Sequence, residues 1–172
     1  MILTLFFSIL TFQHKALASD GVETTGDILQ VLIPTAGLVT TRYLDDDEGS
    51  IQFLKSFGAT FVTTQLLKYT VDKKRPNGSD RSFPSGHTSA AFQGASFIQM
   101  RYGWKYGIPS YLGAAFVGYS RVETDHHYVI DVIAGAALGI ASNYYFTTPY
   151  DGFTIKPTAS NGFYGISLAK NF

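Results

Sequence analysis

Residues Val129 to Phe146 read VIDVIAGAALGIASNYYF, and this stretch decides the fold. It is among the most apolar in the chain, yet Gly135-Ala-Ala-Leu-Gly139 sets two glycines four residues apart. Small residues at that spacing share one helical face and let a second helix come close. Working outward, Tyr106 to Tyr119 is almost as apolar, and Thr88 to Met100 is rich in Ala, Ser and Gly. Ile51 to Lys68 places Leu54, Phe57, Phe61 and Leu66 near one helical face, a stripe of the kind that ordinarily faces a core. Asp27 to Thr41 (DILQVLIPTAGLVTT) is helix-like, with Pro34 inside it. None of these segments runs about 18 residues without a polar interruption, and the mean hydropathy is only +0.08. The expected fold is all-α: a bundle of five or six helices with an unusually apolar core and a short extended C-terminal tail. Such a bundle is expected to rest against a membrane rather than to cross it repeatedly.

The 172 residues suffice for one domain with a real core. With 45% hydrophobic and 15% charged residues, the chain is not a disordered one. Thirteen basic residues balance thirteen acidic ones, so a nucleic-acid partner has no electrostatic support. The absence of cysteine excludes disulfides, thiolate nucleophiles and cysteine zinc sites. At the N-terminus Ile2 to Phe12 are nearly all apolar, and Ala16-Leu17-Ala18 supplies small residues before Ser19. The expectation is a secretory signal peptide over residues 1–18 and a single domain over 19–172, with an uncleaved anchor as the alternative. Asp45-Asp46-Asp47-Glu48 reads as an acidic turn before a helix. A calcium site is the sharper reading, but the loop spacing of a calcium-binding hand is missing. In the tail, Tyr164, Ile166 and Leu168 alternate with small or polar residues, a strand-like pattern expected to pack on the bundle.

Three blocks carry chemistry. In the first, Lys68 is followed after six residues by Arg75-Pro76. Two cations at a helix end and in the loop beyond it can converge on one oxyanion. Nearby Lys73, Lys74 and Arg81 read as an ordinary solvated loop. The second block is Pro84-Ser85-Gly86-His87-Thr88, directly before a helical run. Backbone N–H groups at a helix start point outward, Gly86 admits a ligand to the main chain, and Ser85 adds a hydroxyl. His87 is placed to give a proton to a departing oxygen, with an ordinary cap and a surface histidine as the bland alternative. The third block is Ser120-Arg121, five residues, His127, three residues, Asp131. On a helix His127 and Asp131 share a face, and a carboxylate on one ring nitrogen leaves the other as nucleophile or base. Arg121 is a third cation, and His126 reads as a surface residue.

Together the blocks resemble the type 2 phosphatidic acid phosphatase superfamily, which includes bacterial non-specific acid phosphatases and vanadium haloperoxidases. The resemblance covers residues 51–146. Two positions depart from the pattern: Asp125 stands where a glycine is often found, and Val129 where a proline often follows the histidine. The resemblance implies that His127 attacks phosphorus to form a phosphohistidine and that Asp131 orients its ring. His87 would protonate the leaving alcohol and then activate water. Lys68, Arg75 and Arg121, with Ser85 and the Gly86 N–H, would hold the phosphate oxygens. Neither metal nor other cofactor is implied. Asp125 would bring a negative charge near the phosphate and bear on substrate preference.

The blocks specify the phosphate and not the group attached to it. A phosphorylated lipid of the phosphatidate, phosphatidylglycerophosphate or undecaprenyl pyrophosphate type is the expected substrate, since the chain is apolar and aromatic-rich. A soluble periplasmic acid phosphatase acting on small phosphoesters is the alternative. A haloperoxidase or a non-enzymatic envelope protein ranks lower. The expected location is the periplasm or the periplasmic face of the inner membrane, in contact with the membrane surface, with an integral membrane protein as the alternative.

Overall fold

The computed structural model describes the backbone of residues 2–150, 153–160 and 163–170, and the side chains of residues 20–150. Five helices follow one another: α1 Ile2–Tyr43, α2 Asp47–Val71, α3 Gly86–Tyr102, α4 Trp104–Glu123 and α5 Val129–Phe146. Strands β1 Phe153–Ser160 and β2 Phe163–Lys170 close the chain as an antiparallel hairpin. The bundle is the expected one. Helix α1 is continuous across the expected cleavage point, and the side chains of the expected leader lie outside the described residues.

Helix α3 is the axis of the bundle and touches each of the other four helices. Its approach to α5 depends on the two glycines. A Cβ on Gly135 would lie 2.5 Å from the Ser85 carbonyl oxygen, and one on Gly139 would lie 2.5 Å from that of Ser89. Any side chain there would push the helices apart, which is why the GAALG pattern reads so directly as close packing.

The interior differs from the expected apolar core. Its apolar part is small, built around Phe53, Phe97, Val117 and a few alanines. Alongside runs a polar seam in which Thr64 and Ser89 hydroxyls meet at 3.1 Å and Gln93 Nε2 donates to Ser56 Oγ at 3.0 Å. Asn143 Nδ2 donates to the Gln93 carbonyl at 2.6 Å. Helix α2 turns Gln52, Ser56, Thr60 and Thr64 inward, while Leu54, Phe61 and Leu66 are about 60% exposed. Three of the four residues of the stripe expected to face a core therefore face out, while Phe57 is partly buried against the core. Among the described residues, α5 is the helix long and apolar enough to cross a membrane, with a mean hydropathy of 1.4.

The acidic turn caps α2 as expected: Asp46 Oδ1 accepts from the Gly49 N–H at 2.9 Å. Its carboxylate also takes Arg101 Nε at 2.8 Å, Arg101 Nη2 at 2.5 Å and the Tyr102 hydroxyl at 2.9 Å. With both oxygens occupied by donors, that carboxylate has nothing left to offer a calcium ion. In the tail, the alternating residues form β2, with Ile166 opposite Pro157 and Leu168 opposite Ile155. The partner strand escapes a sequence reading because Pro157 interrupts its pattern.

Candidate active site

The site gathers at the N-terminal end of α3. Ser85 is the fully buried N-cap, its backbone extended and its Oγ accepting from the Thr88 hydroxyl at 2.9 Å. Its N–H donates to the Asp131 carbonyl at 2.9 Å, tying the cap to α5. A Cβ on Gly86 would make only ordinary contact with Lys68 Cε, at 3.6 Å, so the glycine leaves space beside the lysine that no protein atom demands. Lys68 Nζ, at the end of α2, donates to the Arg81 carbonyl at 2.9 Å, and Arg75 Nε donates to the Asp80 carbonyl at 3.1 Å. The two cations are thus held in one loop system.

His127 is 2% exposed, but it does not lie on a helix with Asp131. It belongs to the turn between α4 and α5, and Asp131 sits at the third position of α5, accepting from the Tyr128 N–H at 3.1 Å. The expected direct contact is replaced by a relay. His127 Nδ1 is 3.9 Å from Asp131 Oδ2, too far for a hydrogen bond. Between them lies buried Ser82, whose hydroxyl donates to Asp131 Oδ2 at 2.5 Å and is 3.4 Å from His127 Nδ1. Lys73 Nζ pairs with Asp131 Oδ1 at 2.8 Å and stands 4.3 Å over the Tyr128 ring, so it is not a solvated cation. Burial, with Arg75 and Lys68 nearby, pushes the His127 imidazole down to about 3, against the pull of Asp131. The ring is therefore neutral at ordinary pH, with Nε2 free to carry a lone pair.

Arg121 is buried, and each of its three nitrogens has a partner. Nε donates to Ser120 Oγ at 3.1 Å, Nη1 to Asp27 Oδ1 at 2.8 Å and Nη2 to the Glu23 carbonyl at 3.0 Å. Asp27 also pairs with His87 Nε2 at 3.1 Å, and Glu23 with His126 Nε2 at 3.4 Å. Sequence reasoning missed Asp27, Glu23, Ser82 and Lys73. For Asp27 the available signal was a charge inside an apolar run, which must be paired with something. Asp125, the departure from the glycine pattern, has φ of +54°. That left-handed conformation explains the glycine commonly found there, and aspartate is one of the few other residues that adopts it readily.

Cations, helix-start N–H groups and two imidazoles thus surround one end of the bundle, an arrangement chemically suited to an anion. A family model described as PAP2 superfamily matches residues 49–151. A lipid A 4'-phosphatase of Helicobacter pylori is 36% identical over 85% of this chain and 80% of its own. A lipid A 1-phosphatase of Porphyromonas gingivalis is 40% identical over 42% of this chain, which spans only 17% of that protein's length. The structure resembles a transmembrane PAP2-type phosphatidylglycerolphosphate phosphatase from Bacillus subtilis, with a TM-score of 0.58, 26% identity and coverage of 75% of this chain and 73% of the other.

Proposed function

The chain belongs to the PAP2 superfamily, and on that premise we propose that it removes phosphate from a lipid phosphate at a membrane, through a phosphohistidine on His127 and without a metal. The observation that carries the lipid reading is an apolar groove of about 510 Å³ between α1 and α2. Val31, Leu38, Phe53, Phe57 and Phe61 line it, and its polar end is formed by Thr64, Ser89 and Gly86, beside Lys68. A phosphate held at Gly86 would direct an attached hydrocarbon chain along that groove.

The location follows from the same surface. Ile28, Phe61, Leu112 and Ile133 are all more than half exposed, while serines, threonines and amides fill the interior. Water penalises such an exterior and hydrocarbon does not, whereas hydrogen-bonded polar seams are at home inside a membrane bundle. These faces support embedding in a membrane, and we propose the periplasmic face for the site. Asp27 is neutralised by Arg121 and lies within hydrogen-bond distance of His87 Nε2. Exposed Lys55 is about two turns into α2 and within snorkelling reach of its start. Cleavage after Ala18 would remove none of Glu23, Gly26 or Asp27.

In the proposed reaction His127 Nε2 attacks phosphorus in line, and the bond to the leaving oxygen breaks as His87 supplies its proton. Water, deprotonated by His87, then displaces His127. Ser82 and Asp131 hold the opposite nitrogen of the nucleophile, and Lys68, Arg75 and Arg121 stabilise the equatorial oxygens. Phosphate release by the full chain in detergent tests this, with phosphatidate, undecaprenyl diphosphate, lipid A and p-nitrophenyl phosphate as substrates. The expected result is preference for a lipid, an unchanged rate in EDTA, and inhibition by vanadate. Equal or better turnover of the soluble ester would overturn the lipid assignment, and loss of activity in EDTA restored by magnesium would overturn the mechanism.

A further inference from the structure

Helix α1 lies outside the residues matched by the family model, yet it reaches into the site. Its backbone presses on α4 at Gly26, where a Cβ would lie 2.1 Å from Ser120 Oγ and 2.8 Å from Arg121 Nη2. One residue on, Asp27 Oδ1 meets both Arg121 Nη1 and His87 Nε2, at 2.8 and 3.1 Å. The Glu23 carbonyl, one turn earlier, accepts from Arg121 Nη2. Three consecutive features of α1 are thus fitted to Arg121, and the carboxylate among them reaches the second histidine. The groups facing His87 are Asp27 from α1, Arg121 from α4 and His126 from the turn after α4.

We propose that Asp27 is the positioning carboxylate of His87: it accepts the Nε2–H and leaves Nδ1 as the nitrogen that exchanges the proton in both half-reactions. The inference rests on the phosphatase reading above. In the first half-reaction the His87 Nδ1–H passes its proton to the leaving oxygen as the P–O bond breaks. In the second, Nδ1 takes a proton from the attacking water as the bond between phosphorus and His127 breaks, and the released phosphate leaves. Burial disfavours the His87 imidazolium, Arg121 and His126 disfavour it further, and Asp27 supplies the opposing charge. Because Asp27 Oδ1 also receives Arg121, the same oxygen ties the phosphate-holding cation to the proton carrier. The site would then contain two carboxylate–imidazole systems: His127 through Ser82 to Asp131, and His87 directly to Asp27.

The test compares wild type, Asp27→Asn, Asp27→Glu, His87→Ala and the Asp27→Asn/His87→Ala double variant as full chains in detergent. Each is assayed on p-nitrophenyl phosphate and on dodecyl phosphate. A general acid matters most for a poor leaving group, so in Asp27→Asn the ratio of kcat/KM for the alkyl ester to that for the aryl ester should fall by about 10- to 100-fold. The alkaline limb of the alkyl profile, where His87 gives up its proton, should move to lower pH, and a burst of p-nitrophenolate should appear as phosphoenzyme hydrolysis slows. Asp27→Glu should recover part of the ratio, and the double variant should be no worse than His87→Ala. An unchanged ratio with equal loss on both esters would overturn the proposal, since that is what damage to phosphate binding or to folding alone produces. Fully additive losses in the double variant would overturn it as well. If wild type releases phosphate from neither ester, or His127→Ala retains activity, the phosphatase reading itself fails, whatever Asp27 does.

Discussion

Two arginines of this bundle are almost fully buried: Arg121, in the last turn of α4 and sharing Asp27 with His87 at the start of α3, and Arg101, in the last turn of α3. Both face an aspartate from the N-terminal half of the chain, and there the likeness stops. Arg101 forks onto both oxygens of Asp46, and its remaining nitrogen donates to the carbonyls of Thr148 and Pro149 at 2.9 and 3.1 Å. The Tyr150 ring covers it, and the Tyr150 N–H donates to its carbonyl at 2.8 Å. Every group is satisfied within the fold, so the pair fastens the α1–α2 turn, the end of α3 and the chain beyond α5. Arg121 instead meets a carboxylate whose side chain is 46% exposed and shared with a histidine that is 36% exposed. A closed ion pair of this kind stabilises a fold, whereas an open one can change partners and so can bind.

That contrast is breakable. His127→Ala should remove turnover by about 10⁴- to 10⁶-fold while leaving thermal unfolding near wild type, read by phosphate release and a melting curve. Arg101→Ala strands the buried Asp46 carboxylate and should cost about 3–5 kcal/mol of stability, with kcat per folded molecule preserved. A variant that melts normally but turns over slowly would put Arg101 in the site and collapse the distinction. Arg121→Ala should do the opposite, lowering kcat/KM by about 10²- to 10³-fold with a smaller loss of stability. In the groove, Leu54→Trp should lower the ratio of long-chain to p-nitrophenyl phosphate kcat/KM by about tenfold, equivalent to roughly 1.4 kcal/mol of lost chain contact. A ratio that does not move would detach the groove from the substrate.

Acid sharpens the comparison further, with a smaller effect. An unfolded histidine titrates near 6.5 and folded His127 near 3, so the folded state loses stability as pH falls from about 6.5 towards 3. At the other end, burial works to raise Asp46, but the bonds from Arg101, Gly49 and Tyr102 hold it below its ordinary value. Its contribution is present above the unfolded value of 3.8 and is lost only as pH falls through the lower folded one. Hydrogen exchange followed from pH 7 to pH 4 should show amides around His127 losing protection before those around Asp46. Simultaneous loss would mean that the two ends do not differ in this way.

The three blocks of the candidate site were legible because each holds a chemically distinctive residue at short, fixed spacing, and the glycine pair in α5 was legible because close packing leaves a compositional mark. Asp27 was not. It lies 60 residues before His87 and 94 before Arg121, and only the docking of α1 brings them together. Lys73 looked solvated because it lies in a loop and its partner Asp131, on α5, is 58 residues away in sequence. The relay through Ser82 was hidden because a helical spacing of four between His127 and Asp131 suggested direct contact, whereas α5 starts only at Val129. The misoriented stripe of α2 has a different origin. An amphipathic pattern tells which side chains lie together but not which side meets the core, and that inference assumes water outside.

The left-handed backbone at Asp125 has an evolutionary consequence. In the standard genetic code, aspartate and glycine codons are separated by a single base. Both residues tolerate this conformation, so a negative charge can be gained or lost beside His126 and His127 in one mutational step while the turn keeps its shape. Selection can therefore adjust the charge beside these two histidines without disturbing the turn that carries them.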